Sequence, residues 1–123
     1  MITSRRCIVL VALCLLAGFV GTATAVDQAA QPQVIKITAK KFEYSPKEIR
    51  IKAGVPVVIE FTSVDRVHGF MVPDLGGIRL TIEPGKANRV TILAPKAGTY
   101  EFHCDLFCGD GHESMTGKIV VEE

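Results

Sequence analysis

Glu48-Ile49-Arg50-Ile51-Lys52-Ala53-Gly54-Val55-Pro56-Val57-Val58-Ile59-Glu60-Phe61 carries two strand signatures separated by a turn. In residues 48–52 charged and apolar side chains alternate with period two, as in a strand with one face in a core and one in water. Ala53-Gly54 and Pro56 interrupt the pattern. Residues 57–61 are then β-branched and apolar, the composition of a buried strand. Working outward, residues 34–39 alternate imperfectly, residues 90–93 resemble the buried run, and residues 99–104 and 117–121 add two more strands. Pro46, Pro73, Pro84-Gly85, Pro95 and Gly98 mark turns between them. No segment keeps a helical period. About seven short strands with turns at this spacing predict an all-β, antiparallel Greek-key sandwich.

The chain has 123 residues, enough for one domain with a real core. Its 14 basic and 13 acidic side chains nearly cancel, which removes the polybasic footprint of a nucleic-acid partner. Residues 1–25 differ from the rest. Arg5-Arg6 precedes an apolar run from Cys7 to Val20, and Gly21-Thr22-Ala23-Thr24-Ala25 ends in the small-residue pattern of a signal-peptidase site. These residues are expected to be a cleaved signal peptide of a protein exported to the periplasm. The alternative is an uncleaved anchor facing the periplasm, the one case in which the chain would touch a membrane; the apolar run is short of the ~20 residues a span needs. Cys14 follows Leu13 rather than the small residue of a lipobox. Residues 26–33, rich in Gln and Ala, read as a flexible lead-in, and residues 34–123 as the domain.

Once the signal is gone, Cys104 and Cys108 are the remaining cysteines. In an oxidising compartment such a pair suggests a disulfide, but so short a loop would gain little from closure and His112 and Met115 would have no role. Cys104-Asp105-Leu106-Phe107-Cys108-Gly109-Asp110-Gly111-His112-Glu113-Ser114-Met115 instead gathers two thiolates, an imidazole and a thioether, a set that soft copper selects. Cysteines four apart can share a pair of ions through their sulfurs. A second imidazole is missing from the loop, and His68, expected on the loop after residues 57–61, is the candidate to supply it.

These residues resemble a known family, the cupredoxins, and within it the dinuclear purple-copper (CuA) domain of cytochrome c oxidase subunit II and nitrous oxide reductase. The chain repeats that family's site pattern: His68, then Cys104-x3-Cys108-x3-His112-x2-Met115. The segments Asp65-Arg66-Val67-His68-Gly69-Phe70-Met71-Val72-Pro73, Ile82-Glu83-Pro84-Gly85-Lys86 and Gly98-Thr99-Tyr100 are similar to its flanking pieces, so the likeness extends over residues 34–122. It implies that Cys104 and Cys108 bridge two copper ions, that His68 and His112 bind one each, that Met115 is a weak axial ligand, and that the Leu106 carbonyl fills the other axial position. It also implies one-electron transfer with a redox protein, such as a c-type cytochrome or a terminal oxidase. An enzymatic role would come only as a subunit II-like part of an oxidase.

Departures from the family pattern refine the expectation. Leu106 stands where oxidase subunits carry an acidic side chain, the chain has no Trp, and no transmembrane hairpin is evident in it. They favour a free-standing exported carrier. The competing roles are a copper chaperone or store for oxidase assembly, and a mononuclear blue-copper carrier using His68, Cys108, His112 and Met115. No nucleophile is paired with a free base, and no small-molecule substrate is evident. His103, adjacent to Cys104 on an alternating strand, should point away from the metal. Met71 is expected to pack in the core, Phe107 to help cover the site, and Asp105, Asp110 and Glu113 to be solvated.

Overall fold

A computed structural model describes residues 31–123. The signal-peptide segment and most of the lead-in lie outside the described residues. Nine strands follow in order: β1 (Gln33–Lys40), β2 (Glu43–Ser45), β3 (Glu48–Lys52), β4 (Val57–Ser63), β5 (His68–Val72), β6 (Ile78–Ile82), β7 (Asn88–Ile92), β8 (Gly98–His103) and β9 (Thr116–Glu122). They form a four-stranded sheet, β2-β1-β4-β7, and a five-stranded sheet, β3-β9-β8-β5-β6. The all-β sandwich expected from the sequence is present, with two corrections. Nine strands replace about seven: β2 has only three residues, β5 lacks clean alternation, and β6, though it alternates as Ile78-Arg79-Leu80-Thr81-Ile82, is not among the strands expected. The sheets are mixed rather than antiparallel: β1 runs parallel to β4 and β3 parallel to β9.

Period-two alternation puts the core where it was expected. In β3, Ile49 and Ile51 are buried while their charged neighbours are exposed, and β4 buries Val57, Ile59 and Phe61. Tyr44, Phe61, Phe70 and Phe102 meet between the sheets. Tyr44 and Phe102 pack edge to face at 5.0 Å, and Phe70 lies 5.1 Å from Phe102 and 4.7 Å from Phe61. Each such ring contributes on the order of 1.5–3 kcal/mol by leaving water, so the ligand-bearing strands rest on a rigid platform.

Topology then brings the ligands together. β5 is antiparallel to β8, so the start of β5 and the end of β8 share one end of the sandwich. His68 opens β5 instead of lying on the preceding loop. The segment between β8 and β9 is pinched at its neck, where the Cys104 amide donates to the Met115 carbonyl at 3.0 Å. Two residues 36 apart in sequence, His68 and Cys104, therefore face the same pocket of the core.

Candidate metal centre

Alternation decides which side chains point inward. On β5, Phe70 and Val72 enter the core, and His68 shares their parity. On β8, Phe102 is buried and His103 only half-buried, so the next residue, Cys104, turns inward. Cys108 follows on the connecting segment. Cys104 and Cys108 are 2% and 3% exposed, and His68 is fully buried. One ligand atom from each of these three residues lies within 4.8 Å of the other two.

Both cysteines are free thiols, with their sulfurs 3.6 Å apart. Two sulfurs bound to one soft ion at bond lengths of about 2.3 Å and a tetrahedral angle stand about 3.8 Å apart. The observed spacing suits a shared ion. Cys108 Sγ is also 4.0 Å from His112 Nδ1 and 4.0 Å from Met115 Sδ. His112–Ser114 forms a 3₁₀ turn closed by the Met115 amide on the His112 carbonyl at 3.1 Å. Side chains three apart on such a turn lie over one another, which places His112 and Met115 on the same side of Cys108. The Leu106 carbonyl lies 3.1 Å from Cys104 Sγ.

His68 shows how its ligating nitrogen is chosen. Its Nε2 is 2.7 Å from Asp65 Oδ1, whereas Nδ1 is buried without a hydrogen-bond partner among the described residues. A buried orphan nitrogen costs about 1–3 kcal/mol. A cation held by the two sulfurs would satisfy it, so the donor set and the orphan atom both fit copper. Asp65 fixes the tautomer by accepting the Nε2 proton, the usual arrangement behind a metal-bound imidazole. Asp65 is itself held by the Lys41 amide at 2.7 Å and the Arg66 amide at 2.7 Å. Partial burial works against its charge, but the hydrogen bonds from His68, Lys41 and Arg66 outweigh it and hold the carboxyl down at about 2.

Asp65→Asn keeps an acceptor near Nε2 but loses the charge that secures the tautomer. Copper affinity is expected to fall about 10–100-fold, by competition with a chelator. The depressed carboxyl adds stability above the ordinary carboxylate range that is lost as pH falls towards 2, so the metal-free variant should lose less stability on acidification than the parent. Unchanged affinity would remove Asp65 from the site.

Further contacts were not visible in the sequence. Gly69, on β5, donates its amide to Cys104 Sγ at 3.2 Å, and the Tyr44 hydroxyl donates to the Gly69 carbonyl at 2.5 Å. A Cβ at Gly69 would overlap the Asp105 side chain and stand 2.9 Å from the Asp105 and Leu106 amide nitrogens, so only glycine lets the two segments approach. Arg66 Nη1 donates to the Cys108 carbonyl at 2.7 Å. The three-residue spacing of Asp65 and His68 was the available signal for the Asp65 contact described above.

Three expectations about neighbouring side chains change. Phe107 is 80% exposed and stands out from the centre, its ring 5.9 Å from that of His112. Asp105 is not solvated: its side chain is 15% exposed and faces Arg79 at 3.6 Å. Met71 belongs neither to the core nor to the side chains packed against it. His103 points away from the cluster, as alternation predicts.

A model of the cupredoxin-like domain matches residues 8–121. The chain belongs to the cupredoxin-like family. Cytochrome c oxidase subunit 2 of Thermus thermophilus is 35% identical over 102 residues, covering 82% of this chain and 75% of that protein. Nitrous-oxide reductase of Stutzerimonas stutzeri is 28% identical over 92 residues, which is 72% of this chain but 14% of the reductase. Among solved structures, the periplasmic domain of subunit II of cytochrome oxidase from Bradyrhizobium japonicum superposes with a TM-score of 0.67 at 22% identity, covering 74% of this chain and 84% of that one. This cupredoxin-like chain is thus related to the copper domain of oxidase subunit II. Among its described residues, no helix is long and apolar enough to cross a membrane.

Proposed function

We propose that this chain is an exported one-electron carrier with a dinuclear copper centre of the purple, CuA type. Cys104 and Cys108 would bridge the ions, His68 and His112 would bind one each, and Met115 and the Leu106 carbonyl would be axial. The observation that carries this reading is the closed cluster of two thiols 3.6 Å apart beside a buried, partnerless His68 Nδ1. When bound, the copper pair supplies a one-electron couple. The protein's part is to hold its ligands still. Cys104 is fixed by the Gly69 amide, His68 by Asp65, and Cys108 by the Arg66 contact to its carbonyl.

Burial of both thiols supports a carrier over a chaperone or store, since metal passes between proteins by ligand exchange and a covered sulfur cannot begin it. The mononuclear blue-copper reading leaves Cys104 idle, although its sulfur lies beside Cys108. Residues 1–25 would direct the chain to the periplasm, and the redox partner would be a c-type cytochrome or a terminal oxidase. Leu106 and the lack of any Trp support a free-standing protein over an oxidase subunit.

Metal analysis and EPR of the reduced-thiol chain loaded with copper test the centre. Two coppers per chain and the hyperfine pattern of one electron shared equally by two copper nuclei are expected. One copper per chain with the pattern of a single nucleus would overturn the dinuclear reading.

A further inference from the structure

Met71 and His103 are unused by the centre described above. β5 and β8 are joined through a single pair of directly opposed residues, and that pair is Met71 and His103. Both belong to the outer face of the five-stranded sheet: their neighbours Phe70, Val72 and Phe102 enter the core, while Met71 and His103 are half-buried. Directly opposed side chains have Cβ atoms about 4.5–5.5 Å apart, within reach of a common ion.

The surroundings leave the pair free to bind. The His103 side chain makes no hydrogen bond or ion pair among the described residues. Met71 is not packed against the core, so the thioether serves no evident packing role. The same outer row continues to Arg79 on one side and Thr116 on the other. The Arg79 guanidinium faces the Asp105 carboxylate at 3.6 Å, which offsets the one cation in the row.

We propose that Met71 and His103 form a second, surface site for Cu(I), separate from the buried cluster. A thioether and an imidazole are a soft pair that suits Cu(I), whereas Mg²⁺ and Ca²⁺ prefer oxygen. Cu(I) also accepts low coordination numbers, so two side chains and solvent suffice. The site lies on the reverse of β5, which carries His68, and of β8, which leads into Cys104, and is open to exchange where the cluster is closed. It does not depend on the buried centre being dinuclear.

The test is an anaerobic titration of the fully reduced, copper-loaded chain with further Cu(I) against a competing chelator, followed by NMR. One further Cu(I) per chain is expected to bind, shifting the Met71 methyl and His103 ring resonances together. Met71→Leu and His103→Gln should each lose that equivalent; both changes lie on an exposed face and conserve size, so the fold should persist. In a Cys104→Ser/Cys108→Ser chain the same two resonances should still move, which separates this site from the buried one. Failure of the further ion to bind, binding with the Met71 methyl unmoved, or binding that survives Met71→Leu would each overturn the proposal.

Discussion

Cys104→Ser and Cys108→Ser are both expected to lose the dinuclear centre, and to fail differently. Serine is nearly the size of cysteine, so either metal-free variant should fold, but a hydroxyl oxygen is a poor bridge for soft copper. The difference follows from position. Cys108 Sγ lies 4.0 Å from both His112 Nδ1 and Met115 Sδ, while Cys104 Sγ faces the Gly69 amide and the Leu106 carbonyl. Cys104→Ser therefore keeps a thiolate, two imidazoles and a thioether, and should bind one copper with the spectrum of a single nucleus. Cys108→Ser takes away the sulfur beside His112 and Met115, leaves Cys104 with His68 alone, and should bind copper more weakly than Cys104→Ser. Copper per chain, the visible spectrum and EPR distinguish the cases. A Cys104→Ser protein that kept the shared-electron pattern would show that its sulfur does not bridge.

Much of the centre was legible because its ligands are local. Cys104, Cys108, His112 and Met115 fall within one connection and their spacing alone suggests a metal, whereas Leu106 entered only through the family likeness. His68 was reached as the imidazole missing from that loop, before the family likeness supported it, but its strand was missed. His68-Gly69-Phe70-Met71-Val72 mixes apolar, polar and glycine residues and gives no clear period, yet it pairs with β6 along its whole length. Once β5 is recognised, the parity of Met71 with Gly69 places it outside, so assigning the thioether to the core followed from composition rather than position. The parallel pairs were beyond local reading, because they join Gln33 to Val57 and Glu48 to Lys118. Alternation tells which face a strand buries and says nothing of its neighbour. Asp65 was half legible: His68 is only three residues on, but the Lys41 amide that helps to hold the carboxylate lies 24 residues away.

Copper affinity of the metal-free chain is expected to rise with pH by at least about tenfold per unit between pH 7 and 9. Burial pushes the Cys108 thiol up to about 11, reinforced by the hydrogen bond and charge of Cys104, and the nearby Arg66 offsets this only in part. Across this range Cys108 is protonated in the metal-free fold, yet copper binds the thiolate. Loading the centre must therefore displace that one proton per chain, and every unit of pH lowers the cost by about a factor of ten. Stability of the metal-free fold should move the other way. A thiol raised in the folded state favours folding below the ordinary thiol pKa of about 8.5, and that contribution is lost as pH climbs towards 11. Chelator competition at several pH values and proton release in weakly buffered solution measure the first trend, and denaturant unfolding of the metal-free chain the second. An affinity flat from pH 7 to 9, with no proton released, would mean that Cys108 is already a thiolate before copper arrives.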